Sequence, residues 1–131
     1  MLQKVLGITP GHSYENLGQP EYLRLLQNCA EWVIPVIREN DSNAVIIVGT
    51  PTWSQDIDKA LADPLDFDNV MYALHFYADT HKDWLRQKAA NCIEGGLPVF
   101  ISECNICDAS GRGKVNIEEG ENGKKQQFKH C

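Results

Sequence analysis

The run Ala44–Val48, AVIIV, is the stretch that most restricts what this chain can become. It is apolar throughout and sits between the turn residues Asp41-Ser42-Asn43 and Gly49, which suits a strand covered on both faces. Strands of that kind belong to parallel sheets. Two more follow: Asn69–Tyr77 (NVMYALHFY), and a third inside Leu97–Gly111 (LPVFISECNICDASG), where Pro98 falls near the start and a missing donor is tolerated. Gly49–Gln55 is expected to be a loop, Asp56–Leu61 a short helix broken by Asp63-Pro64, and Thr80–Ile93 a helix ended by Gly95-Gly96. Thr80 has the chemistry of an N-cap, with Asp83 at the capping-box position. Upstream, Glu21–Asn40 repeats apolar residues at Leu25, Cys29, Trp32, Val33, Val36 and Ile37, close to helical spacing, and Pro35 predicts a kink or break. Strands alternating with helices imply right-handed crossovers and a parallel α/β sheet. Three strands can be counted, and Ser13–Leu17 is a candidate for a damaged fourth.

The 131 residues allow one ordinary domain, and 43% hydrophobic content is enough to build a core. A net charge of −6 argues against nucleic acid as the main partner, because neutralising phosphates requires clustered Lys and Arg. No apolar run reaches the length of a membrane span. The opening MLQKVLGITPGHS is too short and broken in its apolar part for a signal peptide. From Gly120 the composition turns polar and charged (GENGKKQQFKHC), so residues 1–119 are expected to form the domain and 120–131 a solvated, disordered tail.

Two strands end on residues that can carry chemistry. Burial of Val99, Phe100 and Ile101 would fix the third strand and hold Glu103 rigidly at its solvent-facing exit. Polar side chains at the C-terminal ends of parallel strands point to chemistry more than to stability. His75 and Tyr77 lie two residues apart near the end of the preceding strand and therefore share a face. On the residues alone, Glu103 serves equally as a capping carboxylate, His75 as a core histidine and Trp53 as loop packing.

The five cysteines, Cys29, Cys92, Cys104, Cys107 and Cys131, are odd in number and lack the spacing of a disulfide scaffold. Cys29 and Cys92 fall in helical patterns, as ordinary buried thiols do. Cys104 and Cys107 form a CxxC, which leaves a redox or metal-binding protein as one reading. A thioredoxin-like site would need a helix to begin there, yet Asp108–Gly113 is turn-like. Zinc would need a second ligand pair, for which His130-Cys131 is a poor candidate.

The segments VIPVIREND, VIIVGTPTWSQD, NVMYALHFYADTH, PVFISE and CDASG, in this order, resemble glycoside hydrolase family 5, in particular its endo-1,4-β-glucanases (cellulases). The resemblance runs from about Ala30 to Glu119. It implies an incomplete (β/α)8 TIM barrel, with three to four parallel β/α units corresponding to about strands five to seven, whereas a whole barrel takes about 250 residues. It implies that Glu103 is the catalytic nucleophile, that His75 and Tyr77 are its supporting pair, and that Trp53 is an aromatic platform for a glucose ring. A retaining glycosidase also needs an acid/base. Its expected position aligns loosely with Gln19 in Tyr14–Pro20, and an amide cannot donate a proton as a carboxylic acid does. The residue after the nucleophile also departs from the family: Cys104 stands where an aromatic is usual.

The function implied is retaining hydrolysis of β-1,4-glucans by a secreted enzyme without cofactor or metal. The alternative is a non-catalytic fragment that at most binds glucan through Trp53. Sheet edges left open by missing strands predict self-association.

Overall fold

The computed structural model describes residues 6–8 and 19–127. Four strands make one sheet in the order β1-β2-β3-β4: β1 (Leu6–Ile8), β2 (Ile46–Val48), β3 (Val70–Tyr77) and β4 (Val99–Asn105). Every pairing is parallel. The helices are α1 (Gln19–Asn40), the single turn α2 (Pro51–Ser54), α3 (Ile57–Ala62), α4 (Ala78–Glu94) and α5 (Ile117–Gln127). Because each strand lies next to its predecessor, the sheet winds in one sense, as a barrel wall does.

The core lies between the sheet and its helix layer. Ala30 and Ile34 of α1, Ile57 and Ala60 of α3, and Leu85, Ala89 and Cys92 of α4 bury themselves against Ile46, Val48, Val70, Tyr72 and Leu74. Arg38, in the last turn of α1, ties the helix to the strands that follow. It donates from Nη1 to the carbonyl of Ala44 (2.5 Å) and from Nη2 to that of Asp68 (2.7 Å). Both acceptors precede a strand, so this one side chain fixes where β2 and β3 begin relative to α1.

Several expectations change on contact with the structure. The strand at AVIIV is regular only from Ile46 to Val48. The fourth strand is β1, paired with β2 through Leu6↔Ile46 and Ile8↔Val48. The candidate at Ser13–Leu17 lies outside the described residues. Helix α1 runs unbroken through Pro35. Pro35 and Glu31, whose carbonyl loses its intrahelical donor, are both exposed, so water can satisfy the freed group while Ile34 keeps the helix on the core.

Thr80 is not an N-cap. Helix α4 starts at Ala78, Lys82 interrupts it with φ 40° and ψ −142°, and the Thr80 hydroxyl instead accepts the N–H of Ala109 (2.8 Å). Cys92 is buried as expected, but Cys29 is only half-buried.

Where composition suggests a solvated tail from Gly120, α5 continues to Gln127. Its start is capped by Asn116, whose Oδ1 accepts the N–H of Glu119 (3.2 Å). The helix then docks on α4 through Arg86–Glu119 (2.9 Å) and through Asn116 Nδ2 donating to Asp79 (2.7 Å). A side chain at Gly120 would come within 2.7 Å of Ile106, so glycine is what lets α5 lie this close.

Candidate active site

Parallel strands place all their C-terminal ends along one rim of the sheet. There β3 ends on His75, Phe76 and Tyr77, and β4 carries Glu103 opposite His75. Tyr77 Oη donates a 2.6 Å hydrogen bond to Glu103 Oε1, and His75 Nδ1 stands 3.7 Å from Oε2. The three residues singled out in the sequence on these two strands are thus brought together, with the carboxylate about half exposed. The hydrogen bond to Glu103 raises the Tyr77 pKa, with burial and the carboxylate's charge acting in the same direction, so the phenol stays a donor.

A histidine that the sequence reading passed over holds Tyr77 in place. His81 is 6% exposed, and its Nδ1 accepts the backbone N–H of Tyr77 (2.8 Å). Burial pushes its pKa down, so it remains the neutral acceptor this contact needs. Its ring meets Trp84 edge-on at 5.6 Å. The i,i+4 spacing from Tyr77 was its only signal in the sequence.

Trp53 sits on the same rim, after β2. Instead of a loop there is a left-handed turn: Thr52, Trp53 and Ser54 have φ of 55°, 51° and 60°. For residues with a Cβ this conformation costs about 1–2 kcal/mol each. The turn is closed by Ser54 N–H to Thr50 O (3.0 Å) and by the Thr52 hydroxyl donating to Asp56 (2.6 Å). Pro51 and Ser54 are buried and anchor it, which leaves the Trp53 indole 67% exposed. Strain collected under an exposed aromatic is common at ligand sites.

Asp56 is itself held by Lys88 from α4 (2.8 Å), which also reaches Asp58 (3.0 Å). Burial opposes ionisation of both Asp58 and Lys88, but their pairing outweighs it: the Asp58 pKa falls and the Lys88 pKa rises.

The CxxC is split by the fold. Cys104 is exposed on β4, facing with Phe76 rather than with His75, and Cys107 is buried beyond the strand. No helix begins between them. Among the described residues, no group of three or more His, Cys, Asp or Glu is arranged to hold a metal ion. Gln19 opens α1, and its side chain lies outside the described residues.

A singly wound parallel sheet with carboxylate, phenol, imidazole and indole on its C-terminal rim has the architecture of a segment of an α/β barrel. The chain belongs to the cellulase family, glycosyl hydrolase family 5, whose profile matches residues 16–127. It is 51% identical over 92 residues to Endoglucanase A of Butyrivibrio fibrisolvens, covering 70% of this chain and 21% of that protein. It is 40% identical over 116 residues to Endoglucanase Z of Dickeya dadantii, covering 86% and 27%. Among solved structures, it superposes on cellulase Cel5C_n with a TM-score of 0.76 at 49% identity, covering 79% of this chain and 32% of that one. It also superposes on the catalytic domain of Thermobifida fusca endoglucanase Cel5A, solved with cellotetraose, with a TM-score of 0.77 at 29% identity, covering 88% and 38%. The chain therefore spans about a fifth to a quarter of these curated relatives and about a third of the solved catalytic domains.

Proposed function

We propose that this chain carries the nucleophile side of a retaining β-1,4-glucanase site, with Glu103 as nucleophile. The single observation that supports this most is the Tyr77–Glu103 hydrogen bond, which fixes one carboxylate oxygen and leaves the group open to solvent. In the first step an oxygen of ionised Glu103 bonds to the anomeric carbon while the bond to the departing glucan oxygen breaks. That oxygen takes a proton from a general acid. In the second step water attacks the same carbon, gives its proton to the same group acting as base, and frees Glu103. His75 and Tyr77 hold the carboxylate, and Trp53 stacks on the apolar C–H face of a glucose unit.

The acid/base is not assigned to a residue of this chain, and Gln19, an amide, cannot perform its task. Proton donation is worth about 10²–10⁴-fold, and a dinitrophenolate leaving group does not need it. Dinitrophenyl β-cellobioside should therefore be turned over far better than carboxymethyl-cellulose, azide should accelerate turnover, and Glu103→Gln should abolish it. Undiminished activity of Glu103→Gln would remove the residue from the mechanism. No turnover of either substrate would favour the second reading, a fragment that binds glucan without cleaving it.

Cellulose is a solid met outside the cell, so this function carries secretion with it. Among the described residues β1 and β4 are edge strands, and Phe100 and Ile101 on β4 are 39% and 38% exposed. Unpaired edges of this kind favour association with further strands, including those of a second copy.

A further inference from the structure

The pairing of β3 with β4 slips by one residue: Leu74 faces Ile101, but His75 faces Glu103, which leaves Ser102 as an extra residue on β4. The bulge decides where the carboxylate goes. Ile101 sides with Leu74, towards the helix layer, and in an unbroken strand Glu103, two residues later, would point the same way. The inserted residue turns Glu103 to the face of His75 and Tyr77, as bulges beside active sites do. It also sets Ser102 and Glu103 against one imidazole. Ser102 Oγ lies 2.9 Å from His75 Nε2, and Glu103 Oε2 lies 3.7 Å from Nδ1.

We propose that Ser102 is a positioning residue for Glu103: its hydroxyl donates to His75 Nε2 and so fixes the tautomer whose Nδ1–H points at the carboxylate. This rests on the reading of Glu103 as nucleophile. The choice between tautomers follows from the two contacts. With the proton on Nε2, the ring would donate to Ser102 and turn the Nδ1 lone pair towards an anionic oxygen, which is repulsive. With the proton on Nδ1, the ring presents a positive edge to Oε2 and the serine hydroxyl satisfies Nε2. A carboxylate with Tyr77 at one oxygen and an N–H dipole facing the other keeps its plane, and with it the line of attack.

The test is side-chain 15N NMR of the histidines at a pH where His75 is neutral, with His75→Gln assigning the signal. The parent chain should show Nδ1 protonated and Nε2 as the bare nitrogen, Ser102→Ala should shift to a mixture of tautomers, and Ser102→Thr should restore the parent pattern. In turnover of dinitrophenyl β-cellobioside, Ser102→Ala should lower kcat roughly 3- to 10-fold, the worth of one hydrogen bond, with little change in KM. Ser102→Thr should recover most of that loss. A parent spectrum with Nε2 protonated overturns the proposal whether or not any variant folds, and so does a Ser102→Ala spectrum identical to the parent's. The expected spectra without turnover by the parent would instead overturn the nucleophile reading, so the two failures are distinguishable.

Discussion

Tyr77 and Glu103 lie on neighbouring parallel strands and meet through a 2.6 Å hydrogen bond on the rim of the sheet. The bond is exposed, so its effect should be on chemistry rather than on stability. Tyr77→Phe should leave the melting temperature within error, as surface changes generally do. It should also slow turnover of dinitrophenyl β-cellobioside about ten-fold, since hydrogen bonds to charged groups are worth about 1.5–3 kcal/mol and part of that is returned by water. A wild-type rate would mean that the phenol does not orient the carboxylate.

Trp53 should trade stability for binding. Its φ of 51° suits glycine, and two-thirds of its surface is exposed. In Trp53→Gly the strain is relieved, offset in part by a looser unfolded chain, for a net gain of about 0.5–1 kcal/mol. If Trp53 stacks on a glucose unit as proposed, the same change should abolish binding of a β-1,4-glucan oligosaccharide. Denaturant midpoints and calorimetry check the two halves; a destabilised variant that still binds would contradict both.

The Lys88 cluster gives a prediction with a sign in pH. Lys88→Met removes the cation that Asp56 and Asp58 share and leaves Asp58 only Lys59, 3.4 Å away, at a cost of about 1–2 kcal/mol, between the surface and buried limits. Asp58 has a folded pKa below its ordinary 3.8, so its contribution is present above that value and is lost as pH falls through the folded one. The gap between parent and variant should thus be full at neutral pH and close below about pH 3.8. A gap independent of pH would show that packing of the Lys88 stem, rather than charge, holds the cluster.

His81 acts at milder acidity. Its folded pKa lies below the ordinary 6.5 because of burial, and Lys82 and Arg86 line the same cleft. Stability is therefore complete above pH 6.5 and falls as the pH drops below it, because the unfolded chain takes up the proton first. His81→Gln can still accept from the Tyr77 N–H and should flatten the stability profile between pH 7 and 5. An unchanged slope would place the acid sensitivity elsewhere.

Much of this architecture was legible in the chain because β2, β3 and β4 are apolar runs between turn residues, and because α1 and α4 bury one side. Glu103, His75 and Tyr77 could be singled out since strand ends expose whatever polar residue they carry. What escaped depends on contacts across the fold. Period two alone would put Glu103 with Ile101, and only the pairing with β3 reveals the extra residue at Ser102. GTPTWSQ contains no glycine where φ becomes positive, so nothing local announces the left-handed turn under Trp53. Thr80 looked like a cap but is used by Ala109, a partner 29 residues away. The start of α5 did leave a trace, because Asn116 followed three residues later by Glu119 is an N-terminal helix pattern. The polar composition beyond Gly120 hid it.

The most direct measurement is covalent trapping. A 2-deoxy-2-fluoro-β-cellobioside with a dinitrophenolate leaving group forms the glycosyl-enzyme without needing an acid and then stalls, because fluorine destabilises the oxocarbenium-like transition state of hydrolysis. Incubated with the parent chain, it should add one fluorocellobiosyl group, and peptide mass spectrometry should place it on Glu103. No label should appear in Glu103→Gln. A label on another carboxylate, or a folded parent that stays unlabelled, would contradict the assignment of Glu103 as nucleophile.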